Sequence, residues 1–469
     1  MRKYRLRWSN ILFYSLFFVY CFLFLSSCSI QKQIAKSAKE VLNDEALKNA
    51  HVGISIYDPA ANQYWYNYNG DKYFVPASNT KLATCYAAMK YLGDSLPGLK
   101  YKYRGDEICY FPTGDPTLMH PDFATNPVIN FLQTKKEVPG FICDQHWKEE
   151  RFGYGWSWSD YSESYMCERS SFPIYGNLFK IYWSENDSLI IFPNWEPPSQ
   201  QFTAKNSAEL LQQGYPINPK TKKDFPKTFT LQREENYNGF DVIPSSSAFT
   251  GMEVPIWNAN DLTYAFLEKI LGYRISPVFC PCTDYTNRII DQKELRVIHS
   301  HPTDSLLKPM MHRSDNFFAE QSLLMVSNEM LGIMNDERII DTLLKTDFKD
   351  LPQKPRWVDG SGLSRYNLFT PQDFVYILNK MKNEFGIERM KDILPTGGEG
   401  TLSNYYKESK GFIYAKTGSL SGILGLSGYL YTKKGKLLVF STLINNHFSS
   451  ASTIRRKIEN FLSKIRKKY

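Results

Sequence analysis

From His51 to Tyr57 apolar and polar residues alternate, and the run stops at Asp58-Pro59. This is the pattern of a half-buried strand that ends in a turn. The aromatic stretch Tyr64 to Tyr68 reads as its hairpin partner. Pro76-Ala77-Ser78 then opens an apolar segment, Lys81 to Leu92, which predicts a buried helix closed by Gly93 and Pro97. Between about 96 and 295 the texture changes: Trp, Tyr, Pro, Ser and Asn are dense, and short strand-like runs are separated by turn residues. Helical spacing returns in Leu306 to Met311 and Phe317 to Met330, and Thr370-Pro371 starts another helix with Pro371 in its first turn. Phe412 to Lys416, Gly422 to Tyr431 and Leu437 to Ile444 alternate as strands, with Gly435 between the last two. A final apolar stripe, Ile454, Ile458, Phe461, Leu462 and Ile465, predicts an amphipathic helix. The order suggests one α/β core split by a β-rich insertion.

The first residues bear on compartment. Arg2, Lys3, Arg5 and Arg7 precede an apolar stretch from Ile11 to Leu25, and Ser26-Ser27-Cys28 follows. A positive start, an apolar centre and small residues describe a secretory signal. The cysteine placed straight after the small residues resembles a bacterial lipobox, which implies cleavage before Cys28, lipidation of that cysteine, and an anchored protein on the periplasmic side of a bacterial membrane. No other apolar run approaches the ~18 residues of a membrane span. The expected organisation is therefore a signal at 1–27, a discontinuous core of 28–95 plus 296–469, and an inserted region at 96–295.

Composition adds little to this outline. Of 469 residues, 42% are hydrophobic and 15% aromatic, enough for a buried core. The net charge is +8, and once the signal is set aside it concentrates after Ile454, where seven Lys or Arg meet one Glu. A solvated helix face is the ordinary reading; contact with anionic lipid or wall polymer is the sharper one. No nucleic-acid reader motif accompanies these charges. Six cysteines remain beyond Cys21 and Cys28, and they leave 15 disulfide connectivities open. A zinc peptidase is a poor fit, since His299 and His301 stand without an H-E-x-x-H.

Three short motifs carry the chemistry. Ser78-Asn79-Thr80-Lys81 is S-x-x-K, Ser314-Asp315-Asn316 is S-D-N, and Lys416-Thr417-Gly418 is K-T-G. A serine hydroxyl is a weak nucleophile and needs a base. A lysine three residues on shares its helix face, and burial would lower that lysine's basicity. Ser314 could relay a proton towards a leaving nitrogen, and Asn316 can both donate to and accept from a peptide group. On its own S-D-N reads as a helix cap. Lys416 and Thr417 can hold a terminal carboxylate by charge and hydroxyl, and Gly418 permits close approach to the backbone. K-T-G alone is a strand running into a turn. In order, at separations of 236 and 102 residues, the trio is hard to explain by an unrelated helix, cap and turn.

The trio and its surroundings resemble the low-molecular-mass class C penicillin-binding proteins, D-Ala-D-Ala carboxypeptidase/endopeptidases. The similar stretches are Tyr73 to Leu82 (YFVPASNTKL), Gly114 to Leu118 (GDPTL), Asp359 to Arg365 (DGSGLSR), Gly400 to Leu402 (GTL) and Ala415 to Leu420 (AKTGSL). The resemblance implies a penicilloyl-serine transferase fold with an antiparallel sheet flanked by helices. It implies a hydrolase of peptidoglycan stem peptides acting through acyl-Ser78, acylated by β-lactams, with no metal or organic cofactor. Lys81 and Ser314 would move protons. Asn316, Lys416, Thr417, Gly418 and Ser419 would hold substrate, with the backbone N–H groups of Ser78 and Ser419 as oxyanion hole. Asp160, in Trp158-Ser159-Asp160, would meet the amine of a diamino-acid side chain, or is a surface carboxylate. Arg365 contacts substrate or braces its loop. A β-lactamase of the same fold and a non-catalytic wall-binding lipoprotein are the competing functions.

Overall fold

The computed structural model describes residues 31–194, 202–204, 228–277 and 294–469. The expected signal at 1–27, Cys28, Cys280 and Cys282 lie outside them. The chain divides into two units. The first comprises residues up to Asn79 with Leu351–Pro355 and Leu368–Tyr469, and the second Thr80–Asp350 with Arg356–Asn367.

Along the described chain, α1 (31–42) leads to β1 (His51–Asp58) and β2 (Gln63–Tyr68). Then come α2 (Lys81–Tyr91), β3 (Ser95–Arg104), β4 (Glu107–Pro112), α3 (Pro127–Gln133) and β5 (Gly140–Ile142). Next are β6 (Leu178–Trp183), β7 (Leu189–Phe192), β8 (Phe202–Ala204), β9 (Phe229–Arg233), β10 (Phe240–Pro244), β11 (Met252–Pro255) and α4 (Ala259–Leu271). After these lie β12 (Arg296–Pro302), α5 (Thr303–His312), α6 (Asn316–Leu331), α7 (Asp336–Lys345), α8 (Pro371–Phe385) and α9 (Ile387–Ile393). The chain closes with β13 (Ile413–Leu420), β14 (Ile423–Tyr431), β15 (Leu437–Asn445) and α10 (Ala451–Lys468).

The first unit is built on a five-stranded sheet of order β13-β14-β15-β1-β2. Every pair is antiparallel, and β1 joins β15 from His51↔Asn445 to Tyr57↔Val439. Strands from opposite ends of the sequence therefore lie side by side. Gly422 and Gly435, both at positive φ, make the hairpin turns that a side chain would strain. Ile34, Ala38 and Val41 of α1 and Ile454, Ile458, Phe461, Leu462 and Ile465 of α10 share one core with the sheet. The terminal apolar stripe is buried as its spacing predicts. Helix α8 starts as its sequence dictates: Thr370 and Asp373 form a reciprocal capping box, with Pro371 next to the cap. The Tyr429 hydroxyl of β14 donates to Leu378 O of α8 at 2.6 Å.

In the second unit α2 and α6 are buried almost all round. A helix apolar on every face belongs inside a core. The same unit holds three further sheets: β12-β3-β4-β5, β11-β6-β7 and β8-β10-β9. Their apolar faces join in a second core with α3 and α4. Cys109 and Cys143 are disulfide-bonded, and Cys85 lies buried within α2. Among the described residues, no helix is long and apolar enough to cross a membrane.

One local expectation needs correction. The strand at Phe412 to Lys416 does not end at K-T-G; β13 runs to Leu420, so the motif lies within it. Polar Thr417, Gly418 and Ser419 interrupt the apolar pattern, but pairing with β14 continues through Leu420↔Ile423. Backbone ladder bonds, not side-chain hydropathy, carry the strand on.

Candidate active site

In the first unit the Ser78 segment is tied to the sheet. Asn445, the last residue of β15, accepts from Val75 N at 2.7 Å and donates to Val75 O at 3.0 Å. Ala77 then takes φ +48, a left-handed conformation rare for a residue with a Cβ. Such conformations persist where the surroundings over-determine them, and they cluster at functional sites. Ala77–Thr80 forms a single 3₁₀ turn with Ser78 half-buried.

The K-T-G strand packs against this turn. A Cβ on Gly418 would stand 2.6 Å from Pro76 O and from Asn79 Nδ2, and one on Gly425 of β14 also 2.6 Å from Asn79 Nδ2. The space that Gly418 leaves is filled by the serine turn itself. Lys416 is wholly buried, and its Nζ donates to Thr417 O at 2.7 Å. The Thr417 hydroxyl donates to Thr401 Oγ1 at 2.8 Å, drawing in the Gly400-Thr401-Leu402 stretch. Ser419 is exposed, and its Oγ accepts from Arg455 of α10 at 3.1 Å.

The second unit holds the lysine of S-x-x-K. Lys81 opens α2 and is wholly buried. Its Nζ donates to Asn316 Oδ1 at 2.7 Å and to Ser361 O at 2.8 Å. Burial pushes the ammonium down to about 8, against the pull of Asp359, Glu320 and Asp315. Asn316 is the first residue of α6 and also donates from Nδ2 to Tyr165 O at 3.0 Å. The helix-cap reading of S-D-N holds as well: Asp315 caps α6 by accepting from Phe318 N at 2.9 Å. Ser314 sits just before it at φ +64. One tripeptide thus starts the helix and presents Asn316 to Lys81.

The loop Asp359 to Ser364 supplies the second acceptor. The Asp359 carboxylate takes hydrogen bonds from Trp156 Nε1, Gly362 N, Ser364 N and Asn367 Nδ2, between 2.6 and 3.0 Å. Gly360 lies so close to α6 that a Cβ would fall 2.7 Å from Ala319 O. Its carbonyl accepts from Thr84 Oγ1 at 2.6 Å. Ser361 N donates to Glu320 Oε1 at 2.7 Å. Glu320 is one turn beyond Asn316 and buried, and burial together with Asp359 pushes its carboxyl up to about 8. Arg169 stands 3.6 Å from Glu320 Oε2, 2.6 Å from Asp336 and 3.0 Å from Glu149.

The structure therefore brings Lys81 and Asn316 together in one unit, and in the other it sets Gly418, which follows Lys416 and Thr417 along β13, against the Ser78 turn. Asp160 is half-exposed in the 3₁₀ turn Trp158–Asp160. It lies near enough to the Tyr165 phenol to help burial push that group up to about 12. Arg365 is exposed, directly after the loop that Asp359 organises. Sequence reasoning assigned no role to Glu320, Asp359 or Arg169. A signal for Glu320 was present: a carboxylate inside the apolar helical run Phe317 to Met330 demands a buried partner.

The model of the D-Ala-D-Ala carboxypeptidase 3 (S13) family matches residues 34–465. A D-alanyl-D-alanine carboxypeptidase of an Actinomadura species is 25% identical, over 89% of this chain and 82% of its own. One from Haemophilus influenzae is 23% identical, over 87% and 88%. The crystal structure of penicillin binding protein 4 from Haemophilus influenzae covers 92% of this chain and 99% of its own, with a TM-score of 0.68 at 20% identity. The same protein complexed with a β-lactam gives 0.64 at 18% identity.

Proposed function

Because the chain belongs to the D-Ala-D-Ala carboxypeptidase 3 (S13) family, its chemistry is that of a serine-type D-Ala-D-Ala carboxypeptidase, and we propose that Ser78 is the nucleophile. Ser78 Oγ attacks the penultimate D-Ala carbonyl while neutral Lys81 takes its proton. The C–N bond breaks, and Ser314 passes that proton to the departing amine of the terminal D-Ala or of a cross-linked stem peptide. Water then attacks the ester, and Ser78 regains its proton. Backbone N–H groups of Ser78 and Ser419 hold the oxyanion, Asn316 holds the substrate amide, and Lys416 with Thr417 holds the carboxylate.

The observation that carries this reading is the seat of Lys81. An ordinary lysine is almost fully protonated at neutral pH. One brought down to about 8 is neutral often enough to act as a base near its operating pH. Its two acceptors keep Nζ in place through either protonation state. Asp160 and Arg365 meet the stem peptide, and the region 96–295 shapes that recognition. Cys28 carries the lipid that keeps the enzyme at the wall-facing side of a bacterial membrane.

The test uses purified wild type and Ser78→Ala with a fluorescent penicillin and with defined monomeric and cross-linked muropeptides. Stable labelling and digestion by wild type alone are expected. Absence of both in the wild type would favour a non-catalytic wall-binding protein, and rapid shedding of the penicilloyl group would favour a β-lactamase. Incorporation of labelled fatty acid that disappears in Cys28→Ser tests the anchor separately.

A further inference from the structure

Helices α1 and α10 pack antiparallel. Tyr469 donates to Gln33 at 3.0 Å, Lys464 pairs with Glu40, and Lys457 pairs with Asp44 at 2.5 Å. The start of α1 therefore lies beside the end of α10. The β14–β15 turn comes to the same place: Lys433 N donates to Arg466 O at 2.9 Å and Lys434 N to Tyr469 O at 3.0 Å. Three segments far apart in sequence thus bring Lys32, Lys433, Lys434, Lys464, Lys467 and Lys468 to one end of the sheet-bearing unit, all exposed. The carboxylates meeting them, Glu40 and Glu408, are already engaged by Lys464 and Lys467. Phe412, exposed, lies at that end with the Arg466 guanidinium 4.0 Å from its ring centre.

We propose that this lysine-rich end is a docking face for an anionic phospholipid bilayer, and that it turns the K-T-G strand away from the membrane. Two observations choose the bilayer over other polyanions. Cys28 precedes α1 by three residues, and a chain spans at most about 3.5 Å per residue, so an anchor there is held within about 10 Å of the face. This step rests on the lipidation reading. The second is the exposed Phe412 among the cations, since basic surfaces that bind bilayers bury apolar side chains such as Phe at the headgroup boundary. A tether alone leaves orientation free, whereas a basic face beside it adds electrostatic attraction with a fixed direction.

That direction follows from the strand register. Tyr431, before the Lys433-Lys434 turn, donates from its N to Phe412 O, at the start of β13. Thr417 and Ser419 pair with Leu426 and Leu424, towards the other end. At about 3.3 Å per residue the K-T-G motif lies about 15 Å along the strand from the basic end. A bilayer at one end leaves the other facing the wall.

The experiment omits the anchor, so that failure of lipidation at Cys28 and failure of this proposal are read separately. The chain from Ser29 onward is floated with vesicles of equimolar phosphatidylglycerol and phosphatidylcholine, and with phosphatidylcholine alone. Binding to the anionic vesicles only, weakening with salt, is expected. Each lysine near such a surface is worth about fivefold in partitioning, so the combined Lys433→Glu, Lys434→Glu, Lys467→Glu and Lys468→Glu variant should lose at least about a hundredfold. Fluorescent-penicillin labelling at the wild-type rate confirms that this variant is folded, and the milder Lys433→Gln, Lys434→Gln pair gives a graded loss. Equal binding to neutral vesicles, undiminished binding by the folded variants, or retention on isolated cell-wall polymer with none on vesicles would each overturn the proposal.

Discussion

Lys81 and Gly418 stand in the first and last of the three motifs, and different physics holds each. Around Lys81 the order is polar: two acceptors, a loop wound about Asp359, and Glu320 beneath it. Around Gly418 it is steric, a backbone pressed within Cβ distance of Pro76 and Asn79. The first arrangement contains groups that titrate near neutrality, whereas the second holds at any pH where the chain is folded. A defect in one should therefore change with pH, and a defect in the other should not.

The largest effect tests the polar side. Lys81→Met keeps the length of the side chain and removes the amine proposed as base. Acylation of Ser78 by a fluorescent penicillin should slow by about 10²–10⁴, the usual range for losing a positioned proton acceptor. Labelling at the wild-type rate would end the assignment of Lys81 as base. The steric side comes next. Gly418→Ala sets a Cβ against the turn, and overpacking of this kind costs about 1–3 kcal/mol. Thermal unfolding should show the loss. Acylation should fall by a factor that stays constant across the pH range, since no titrating group is disturbed; a pH-dependent defect would erase the distinction between the two motifs.

Much of this was legible in the sequence, and the rest was not for identifiable reasons. The capping box at Thr370, the hairpin at Gly435 and the buried stripe of α10 are written in local patterns, and their elements follow those patterns. The reach of β13 past Lys416 was hidden because its last residues are polar and only the partner strand reveals them. Gly418 was legible as a close approach, but what approaches it is a turn some 340 residues earlier in the chain. The partner that a carboxylate at Glu320 demands was hidden most deeply. That partner, Ser361, arrives from 41 positions away, and nothing in either local segment announces the meeting.

Glu320 sharpens the polar side further. Its negative charge favours the Lys81 ammonium, so Glu320→Gln should let Lys81 lose its proton at lower pH. The acylation profile should move to lower pH and become steeper, because one of two interacting titrations is gone. Stability gives an independent check with a definite sign. A carboxyl whose folded pKa is raised binds protons more readily when folded. Its contribution is full below its unfolded value of 4.5 and is lost as pH rises towards about 8. Wild type should accordingly lose stability across that window more steeply than Glu320→Gln. Parallel unfolding curves across the window, with an unmoved acylation profile, would mean that Glu320 only fills space.

The smallest effect lies outside both arrangements. Asp160 is half-exposed, in the short turn Trp158–Asp160. It is joined to the polar side through Tyr165, whose carbonyl accepts from Asn316 while its phenol feels the Asp160 charge. Partly exposed charge pairs are worth about 0–1 kcal/mol. Asp160→Asn should therefore raise KM by no more than about fivefold, by the same bound, and only for stem peptides with a free side-chain amine. Penicillin acylation, which offers no such amine, should be unchanged. An equal rise for peptides whose amine is blocked would show Asp160 acting through Tyr165 on Asn316, and would draw this turn into the polar arrangement around Lys81.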